Sequence, residues 1–411
     1  MINILTSAQA FGYGPCSKLV NIVKKYKKIN KDAKFNFIGE DVALTYAKSN
    51  NVFDNIYNLE ELHTLDPQKY QKVISVMDPQ FALWGFINKI ESIYVDSLYW
   101  YWNWKEDYLL NVKNLIKELE YINNYRKASL LLNNLEPHHQ QYVGHFLSDK
   151  SLVQTFFDGG KKNKSDKYRA NIKPITIKPI VDSSHKKDLK RDTIVISLAG
   201  FLSPLNREQE AKEYFKFIIS LFGEIIDKLP PKIKILCTVN PKLLESLKGM
   251  SGKLKVTSLN NEELLKLLNK AIIIFTPAGV TTTYEALEYN VPIAYLPEQH
   301  DGHYQNFQRI TKGINKKNNK NIIFPNLLIN NRIKKEILDD PDSEINRIKN
   351  LIRNINNKEN SIILNELKKC LASIIETILD KEAQNKLLRQ QKKIVFFNIK
   401  NIGYNVENVI M

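Results

Sequence analysis

The sequence predicts an α/β protein made of two successive Rossmann-like series, each a mainly parallel sheet with helices on both faces. Three observations predict it. Short apolar runs alternate with helix-patterned stretches from the start of the chain, the alternation lapses over residues 161–192, and it restarts at DTIVISLAGFLSPL. Parallel strands need a crossover between them, so alternation of strands with helices implies parallel pairing. At 411 residues the chain also exceeds one ordinary core, which makes two domains the expectation.

The first domain, residues 1–160, opens with the strand INILTS and the helical LVNIVKKYKKI, continues with KFNFIGED and VALTYAKS, and then runs through KVISVMDP, SIYVDSL, KASLLLNN and LVQTFFDGG. Residues 161–192 are rich in Lys, Ser, Asp and Pro and poor in large apolar groups apart from ITI and IV, and they read as a basic linker. The second domain, residues 193–345, repeats the pattern. Its strands are DTIVISL, IKILCTV, KLKVTSL, IIIFT and NVPIAYLP, separated by helical EQEAKEYFKFIISLFGEIIDKL, PKLLESLKG and NNEELLKLLNKA. The tail, residues 346–411, is apolar at helical spacing and is expected to fold helices back over the domains. Ligands of such sheets sit beyond the carboxyl ends of the strands, so a gap between the two domains is the expected site.

Composition narrows the function classes. A hydrophobic fraction of 43% supports packed cores, and no apolar run approaches the roughly 20 residues of a membrane span. MINILTSAQAF lacks a basic region and a cleavage-like end, so it reads as a buried strand, and the chain is expected in the cytoplasm. Cys16, Cys237 and Cys370 have no metal-ligand or disulfide-framework spacing and are expected as thiols. The net charge of +16 attracts anions, but Lys, Asn and Ile crowd the whole chain and no nucleic-acid-binding signature accompanies the charge. Nucleic acid is therefore not an expected partner. KLVNIVKKYKKINK, residues 18–31, is an amphipathic basic helix. It suits peripheral contact with a membrane, although such a helix more often packs its apolar face on the sheet.

The densest functional signal is FTPAGVTTTYEALEYNVPIAYLPEQHDGHYQN, residues 275–306. IIIFT is a buried strand, PAG its turn, and TTTYEALEY a helix that Thr281 or Thr282 can cap. Gly279 there permits backbone conformations or approaches that a side chain obstructs. A helix that starts here directs several unpaired amides toward the cleft, and a diphosphate is the natural guest for Gly279, Val280, Thr281 and Thr282. Glu285 follows closely enough to bond the hydroxyls of an attached ribose. Gln299, His300, Asp301, Gln305 and Asn306 offer donors and acceptors suited to a sugar. An ordinary strand, turn and Thr-capped helix is the alternative reading of the same residues.

This stretch resembles the donor-binding segment of GT-B glycosyltransferases, particularly the inverting kind that includes the enzyme forming lipid II from UDP-N-acetylglucosamine. The resemblance rests on Ala278-Gly279, Thr282, Glu285, Pro297-Glu298-Gln299-His300 and Gln305-Asn306, over roughly 30 residues. It implies a GT-B fold of two Rossmann-like domains facing across a cleft, with a nucleoside diphosphate sugar as co-substrate, UDP-linked by family default, and a small-molecule or lipid-linked acceptor. No cofactor and no metal are implied. It further implies Gly200 and Ser203, in LAGFLSPL, near the diphosphate, and Thr257 and Ser258 near the base. Retaining relatives carry two glutamates eight positions apart, and counting back eight from Glu285 lands on Pro277, so the resemblance favours inversion.

An inverting transfer needs a general base. Many such relatives carry a His in the turn after the first strand, whereas this chain reads AQAFGYGPCSKL, with Gly12, Tyr13 and Gly14 forming a cleft loop and Pro15, Cys16 and Ser17 where the base is sought. The candidates that remain are carboxylates ending first-domain strands: Asp96 in IYVDSLYW and Asp78 in VISVMDPQ. Asp96 leads into YWYWNW, whose Tyr99, Trp100 and Trp102, with Tyr101 and Trp104, can wall an acceptor pocket and raise a carboxylate's pKa, or can be core. Asp96 is the leading candidate for the base, with a cap of the following segment as its alternative, whereas Asp78, followed by Pro, reads rather as a turn acid. His138, His139 and His145 in EPHHQQYVGH are further candidates for a base. A sugar-nucleotide epimerase or hydrolase would keep Glu285 and the phosphate turn, and a basic, non-catalytic binder would need neither.

Overall fold

The structure, a computed structural model, describes residues 2–100, 102, 106–155, 172–201, 208–249, 254–299, 301–311, 324–329, 349–350, 352–354, 358–397 and 403–410. The chain divides into one unit of residues 1–180 and 398–411 and a second of residues 181–397.

The first unit is organised by seven strands, β1 (Asn3–Ala8), β2 (Lys34–Gly39), β3 (Asn55–Asn58), β4 (Lys72–Val76), β5 (Glu91–Asp96), β6 (Lys150–Gln154) and β7 (Ile175–Ile177). They pair in the order β3-β2-β1-β4-β5-β6-β7, every pair parallel. Around them lie α1 (Gly14–Ile29), α2 (Asp41–Lys48), α3 (Pro79–Ile87), α4 (Glu106–Leu119), α5 (Tyr125–Asn133) and α6 (Pro137–Leu147). Successive side chains of a strand point to opposite faces. Thus Ile4 joins Leu19, Val20 and Val23 of α1 in one core, while Leu5 joins Phe81 and Trp84 of α3 in another. Cover on both faces is why β1, β4 and β5 are buried almost throughout, as a parallel sheet requires. The apolar face of the basic helix over 18–31 is spent in the same way: Leu19, Val20, Ile22, Val23 and Tyr26 lie in the core, Lys27 is half-buried against Asp54 and Lys28 is exposed.

The second unit repeats the scheme with β8 (Thr193–Leu198), β9 (Lys234–Val239), β10 (Lys255–Thr257), β11 (Ala271–Thr276) and β12 (Ile293–Tyr295), all parallel in the order β10-β9-β8-β11-β12. Its helices are α7 (Glu208–Ile226), α8 (Leu244–Lys248), α9 (Asn261–Leu268), α10 (Val280–Glu288), α11 (Asp301–Thr311), α12 (Lys358–Leu379) and α13 (Lys381–Phe397). Asn260 and Glu263 form a reciprocal capping box that fixes where α9 starts. The edge strand β12 is covered. Gln391 of α13, fully buried, donates to the carbonyl of Ile293 at 2.7 Å and accepts its N–H at 2.8 Å, and Tyr295 pairs in parallel with Asn326, so a glutamine and a short backbone segment together cover that edge. No helix among the described residues is long and apolar enough to cross a membrane.

Two boundaries differ from the sequence expectation. The segment 161–192 contains β7, which pairs with β6, so the first unit runs on to Ile180. The tail divides as well. α12 packs on α7 in the second unit, whereas α14 (Glu407–Ile410) belongs to the first, where Tyr404 bridges Ile177 and buried Lys72 donates to the carbonyl of Ile410 at 3.1 Å.

In each sheet the order of connection reverses once, between β1 and β4 and between β8 and β11. Crevices beyond the carboxyl ends of the strands at such switch points are where open parallel sheets bind ligands.

Candidate functional site

At the second switch point β11 runs into Pro277, Ala278 and Gly279, and α10 begins. Gly279 is the N-cap, with φ −86° and ψ 144°, no side chain caps the helix, and its first turn holds no acid. The expected cap by Thr281 or Thr282 is therefore corrected. Gly279 is also in an ordinary conformation, and an added Cβ would meet only the Pro277 oxygen, at 3.8 Å. What distinguishes the turn is its electrostatics: the first turn of a helix presents N–H groups that the helix itself does not use. Val280, Thr281 and Thr282 supply them. Thr283, one residue on, is buried and donates its hydroxyl to the Gly279 carbonyl at 2.7 Å, and the Tyr295 hydroxyl lies 3.1 Å from Thr283 Oγ1. Glu285 lies in the second helical turn and is buried.

The loop after β12 is held from inside. Glu298 is fully buried and its carboxylate accepts the N–H of Ile329 at 2.7 Å. Tyr214 donates to the carbonyl of Pro297 at 2.7 Å, and the Gln299 side chain hydrogen-bonds the same phenol. Asn306, on α11, donates its amide to the carbonyl of Ala278 at 2.9 Å, while its Oδ1 is buried with no hydrogen-bond partner among the described residues. Gln299 and Asn306 thus serve the loop and the turn, and Gln305 is half-buried. Gly200 sits in a short 3₁₀ turn directly after β8, exposed, with nothing within 4 Å of an added Cβ. Thr257 and Ser258 lie half-buried at the carboxyl end of β10. Ser203, His300, Tyr101 and Trp104 lie outside the described residues.

At the first switch point the turn after β1 holds Gly12 at φ +68°, a left-handed position that favours glycine. Tyr13 is the N-cap of α1, which opens at Gly14, and the Tyr13 ring rests on Tyr46 at 4.8 Å. Cys16 is no substitute for a base. It is fully buried, its thiol donates toward the Ala43 carbonyl at 3.4 Å, and burial pushes its pKa far up. Across the switch point, Met77 turns the chain at φ +57° and Asp78 caps α3, accepting the Phe81 N–H at 3.1 Å and the Ser7 hydroxyl of β1 at 2.5 Å. Asp78 keeps part of its surface exposed, and burial holds its carboxyl above the usual carboxylate range. Burial raises Glu40 too, with Asp41, Asp78 and Glu60 adding to it.

Asp96 is in a different position from the one expected of a base. It is fully buried, and both its oxygens are taken: Oδ1 by the Leu98 N–H at 2.7 Å, Oδ2 by Trp102 Nε1 at 2.9 Å and by His145 Nε2 at 3.1 Å. The other ring nitrogen of His145 meets the Ser151 hydroxyl at 2.6 Å. Because a carboxylate only accepts, His145 carries its proton on Nε2. The Asp-His-Ser order resembles a nucleophile triad, but His145 and Ser151 are buried as well, so no substrate hydroxyl reaches any member. Asp96 anchors the aromatic segment and α6. Tyr99 is core, edge-on to Trp100 and His145, and Trp100 and Trp102 are half-buried. His139 is buried beside His138, and that burial lowers its pKa to about 4. The residues that sequence reasoning passed over are Ser7, Thr283, Tyr214 and Tyr295, all of them buried groups that keep a hydroxyl inside the fold.

No protein-family model and no curated protein matches the chain. Among solved structures, the spinosyn rhamnosyltransferase SpnG is similar over 100% of this chain and 98% of its own, with a TM-score of 0.51 at 7% identity. Its complex with thymidine diphosphate gives a TM-score of 0.51 at 8% identity over 100% and 99%. This chain has the GT-B fold. A putative UDP-N-acetylglucosamine 2-epimerase from Listeria monocytogenes aligns over 100% of this chain and 94% of its own at 10% identity, with a TM-score of 0.49. In the second unit the switch-point helix starts on Gly279, and in the first the switch point carries Asp78.

Proposed function

We propose that the protein is a glycosyltransferase that moves a sugar, with inversion, from a uridine or thymidine diphosphate sugar to a hydroxyl of an acceptor. The observation that carries the reading is the start of α10: a switch-point helix with no side-chain cap and no acid in its first turn. That is what a departing diphosphate needs. Glu285, one turn further on, is the residue proposed for the ribose hydroxyls. The likeness to SpnG, whose complex holds thymidine diphosphate, supports the nucleotide class.

In the transfer, the acceptor O–H gives its proton to a carboxylate as its oxygen attacks the anomeric carbon. The bond from that carbon to the diphosphate oxygen breaks, and the leaving group takes the electron pair. Asp78 is the proposed base, because it stands at the first unit's switch point, stays partly exposed and has a raised pKa. One displacement with no enzyme nucleophile inverts the centre, consistent with Pro277 eight positions before Glu285. The charge on the leaving group is met by the start of α10, so the reading calls for no metal.

The test is thermal unfolding with UDP-, TDP- and ADP-linked sugars. A donor present at 100 times its Kd stabilises the native state by about 2.7 kcal/mol, a clear rise in Tm. No shift with any of them refutes the reading, and release of free sugar from a bound donor without acceptor replaces transfer with hydrolysis.

A further inference from the structure

The two residues that join β4 to α3 are held by groups from β1, β5 and α6 as well as by their own elements. Met77 stands at φ +57°, a conformation that L side chains adopt rarely and at a cost. Its N–H donates to the Val95 carbonyl at 3.0 Å, and its carbonyl accepts from Gln141 Nε2 at 3.1 Å. Asp78 follows. Ser75 donates its hydroxyl to the Asp78 main-chain oxygen at 2.5 Å, side-chain Oδ1 accepts the Phe81 N–H at 3.1 Å, and Oδ2 accepts the Ser7 hydroxyl at 2.5 Å. A strained turn persists only where its surroundings over-determine it, and such turns gather at functional sites.

Ser7 and Ser75 are register partners on β1 and β4, and both are buried. Capping α3 accounts for Oδ1. The last torsion of an aspartate is soft, so the cap alone leaves the second oxygen free to swing, and the bond from Ser7 stops it. A donated hydroxyl also favours the ionised carboxylate, against the burial that opposes it. The titratable groups facing Asp78 give no such help: Glu40 ahead of α2, Tyr94 of β5 and Tyr125 of α5 are neutral or negative. On α6, Gln141 is bound to Met77 and Tyr94, and His145 to Asp96. Among the described residues, Ser7 is the only side chain that donates to the Asp78 carboxylate.

We propose that Ser7 is a positioning residue for the base that deprotonates the acceptor: its hydroxyl fixes Oδ2 of Asp78 and keeps the carboxylate ready to take a proton. Ser7 keeps its own proton and touches no substrate. The proposal rests on the transfer reading above, in which Asp78 is the base, and adds the group that sets that base.

The experiment first reads Asp78 itself, by denaturant unfolding of the full chain against pH, with and without Asp78→Asn, in wild type, Ser7→Ala, Ser7→Cys and Ser75→Ala. The stability difference made by Asp78→Asn stops changing once pH passes the folded-state pKa of Asp78. Loss of the Ser7 donor raises that pKa, so in Ser7→Ala the change should end about one pH unit higher. Ser7→Cys, a weaker donor, should fall between the two and decides the matter if Ser7→Ala does not fold. Ser75→Ala removes a neighbouring hydrogen bond from the main-chain oxygen alone, so it should lower stability and leave the end point in place. The second arm is release of UDP or TDP from UDP-glucose and TDP-rhamnose over a panel of hydroxylated acceptors. Turnover of Ser7→Ala should fall about tenfold on the acid side of the profile, a deficit that shrinks as pH rises. An end point unmoved in both Ser7 variants overturns the positioning role and leaves the transfer reading standing. An end point that moves while the acid side of turnover does not overturns the part of Ser7 in catalysis and takes the base from Asp78, with transfer intact. No release of either nucleotide by wild type overturns both.

Discussion

The two switch points share a topology and differ in what starts the helix after the crossing strand. In the first unit α3 starts on Asp78, whose carboxylate fills the helix end and bonds Ser7 across the sheet. In the second, α10 starts on Gly279 with no side-chain cap. The first arrangement consumes the helix's positive end internally and brings raised carboxylates, Asp78 and Glu40, to the carboxyl edge. Such an edge repels phosphates and suits a neutral hydroxyl that must lose a proton. In the proposed function the second leaves the positive end for the donor's diphosphate, so the reading divides one topology between two chemistries by the residue type at the N-cap.

The largest effect is expected from making the second switch point resemble the first. Gly279→Asp fits the backbone, because φ is −86° and the added Cβ has its nearest neighbour at 3.8 Å. The new carboxylate should cap α10 and stabilise the protein by about 0.5–1 kcal/mol. It should also weaken UDP or TDP about a thousandfold, since like charges brought together cost several kcal/mol. A variant that melts higher and no longer binds nucleotide confirms the division. Binding kept within about tenfold would place the anion elsewhere.

That contrast was only half legible in the sequence. The PAG turn, the strand before it and the helix after it follow from local pattern, and so does the alternation that builds both sheets. The caps do not. Thr281 and Thr282 are good capping residues by type, yet the helix starts one residue before them, on Gly279. Asp96 and Asp78 both end strands, and what separates them is which groups reach them: His145 lies 49 positions from Asp96, and Ser7 lies 71 from Asp78. Likewise Asn306 reads as a sugar ligand until its bond to Ala278, 28 positions back, is seen. β7 was hidden for a compositional reason. It is a three-residue strand flanked by Lys and Pro, so its surroundings resemble a linker.

Asp96 and Asp78 give the next pair of effects in size. Asp96→Ala leaves the N–H groups of Leu98, Trp102 and His145 without their buried acceptor and should cost about 3 kcal/mol of stability, read by denaturant unfolding. Turnover per folded molecule should change little. Asp78→Asn is expected to do the reverse. Asparagine caps helices as well as aspartate, so stability near pH 4 should hold, while kcat falls about a hundredfold on loss of the base. The pH dependence has a definite sign. Burial raises Asp78, so its folded-state pKa exceeds the unfolded one, and the stability this gives is complete below the unfolded value and lost as pH rises through the folded value. Wild type should therefore lose stability relative to Asp78→Asn as pH climbs from about 4, over the same interval in which its own turnover rises. A hundredfold loss of turnover in Asp96→Ala with unchanged stability would return the base to Asp96.

The smallest effects separate the glycines of the two switch points. Gly12 stands at φ +68°, where an L side chain crowds the following carbonyl, so Gly12→Ala should cost about 1–2 kcal/mol and lower Tm. Gly200 stands at φ −79° with open space around it. Gly200→Ala should therefore stabilise by about 0.4–1 kcal/mol through the unfolded chain, and UDP or TDP affinity should stay within about twofold. The pair tests whether glycine in these turns serves the backbone or the ligand. In the first unit the backbone demands it. In the second nothing among the described residues does, so a tenfold loss of affinity in Gly200→Ala, with Tm unchanged or raised, would mean that a ligand atom comes close enough to take the volume of that one methyl group, and would add the turn after β8 to the anion site proposed at α10.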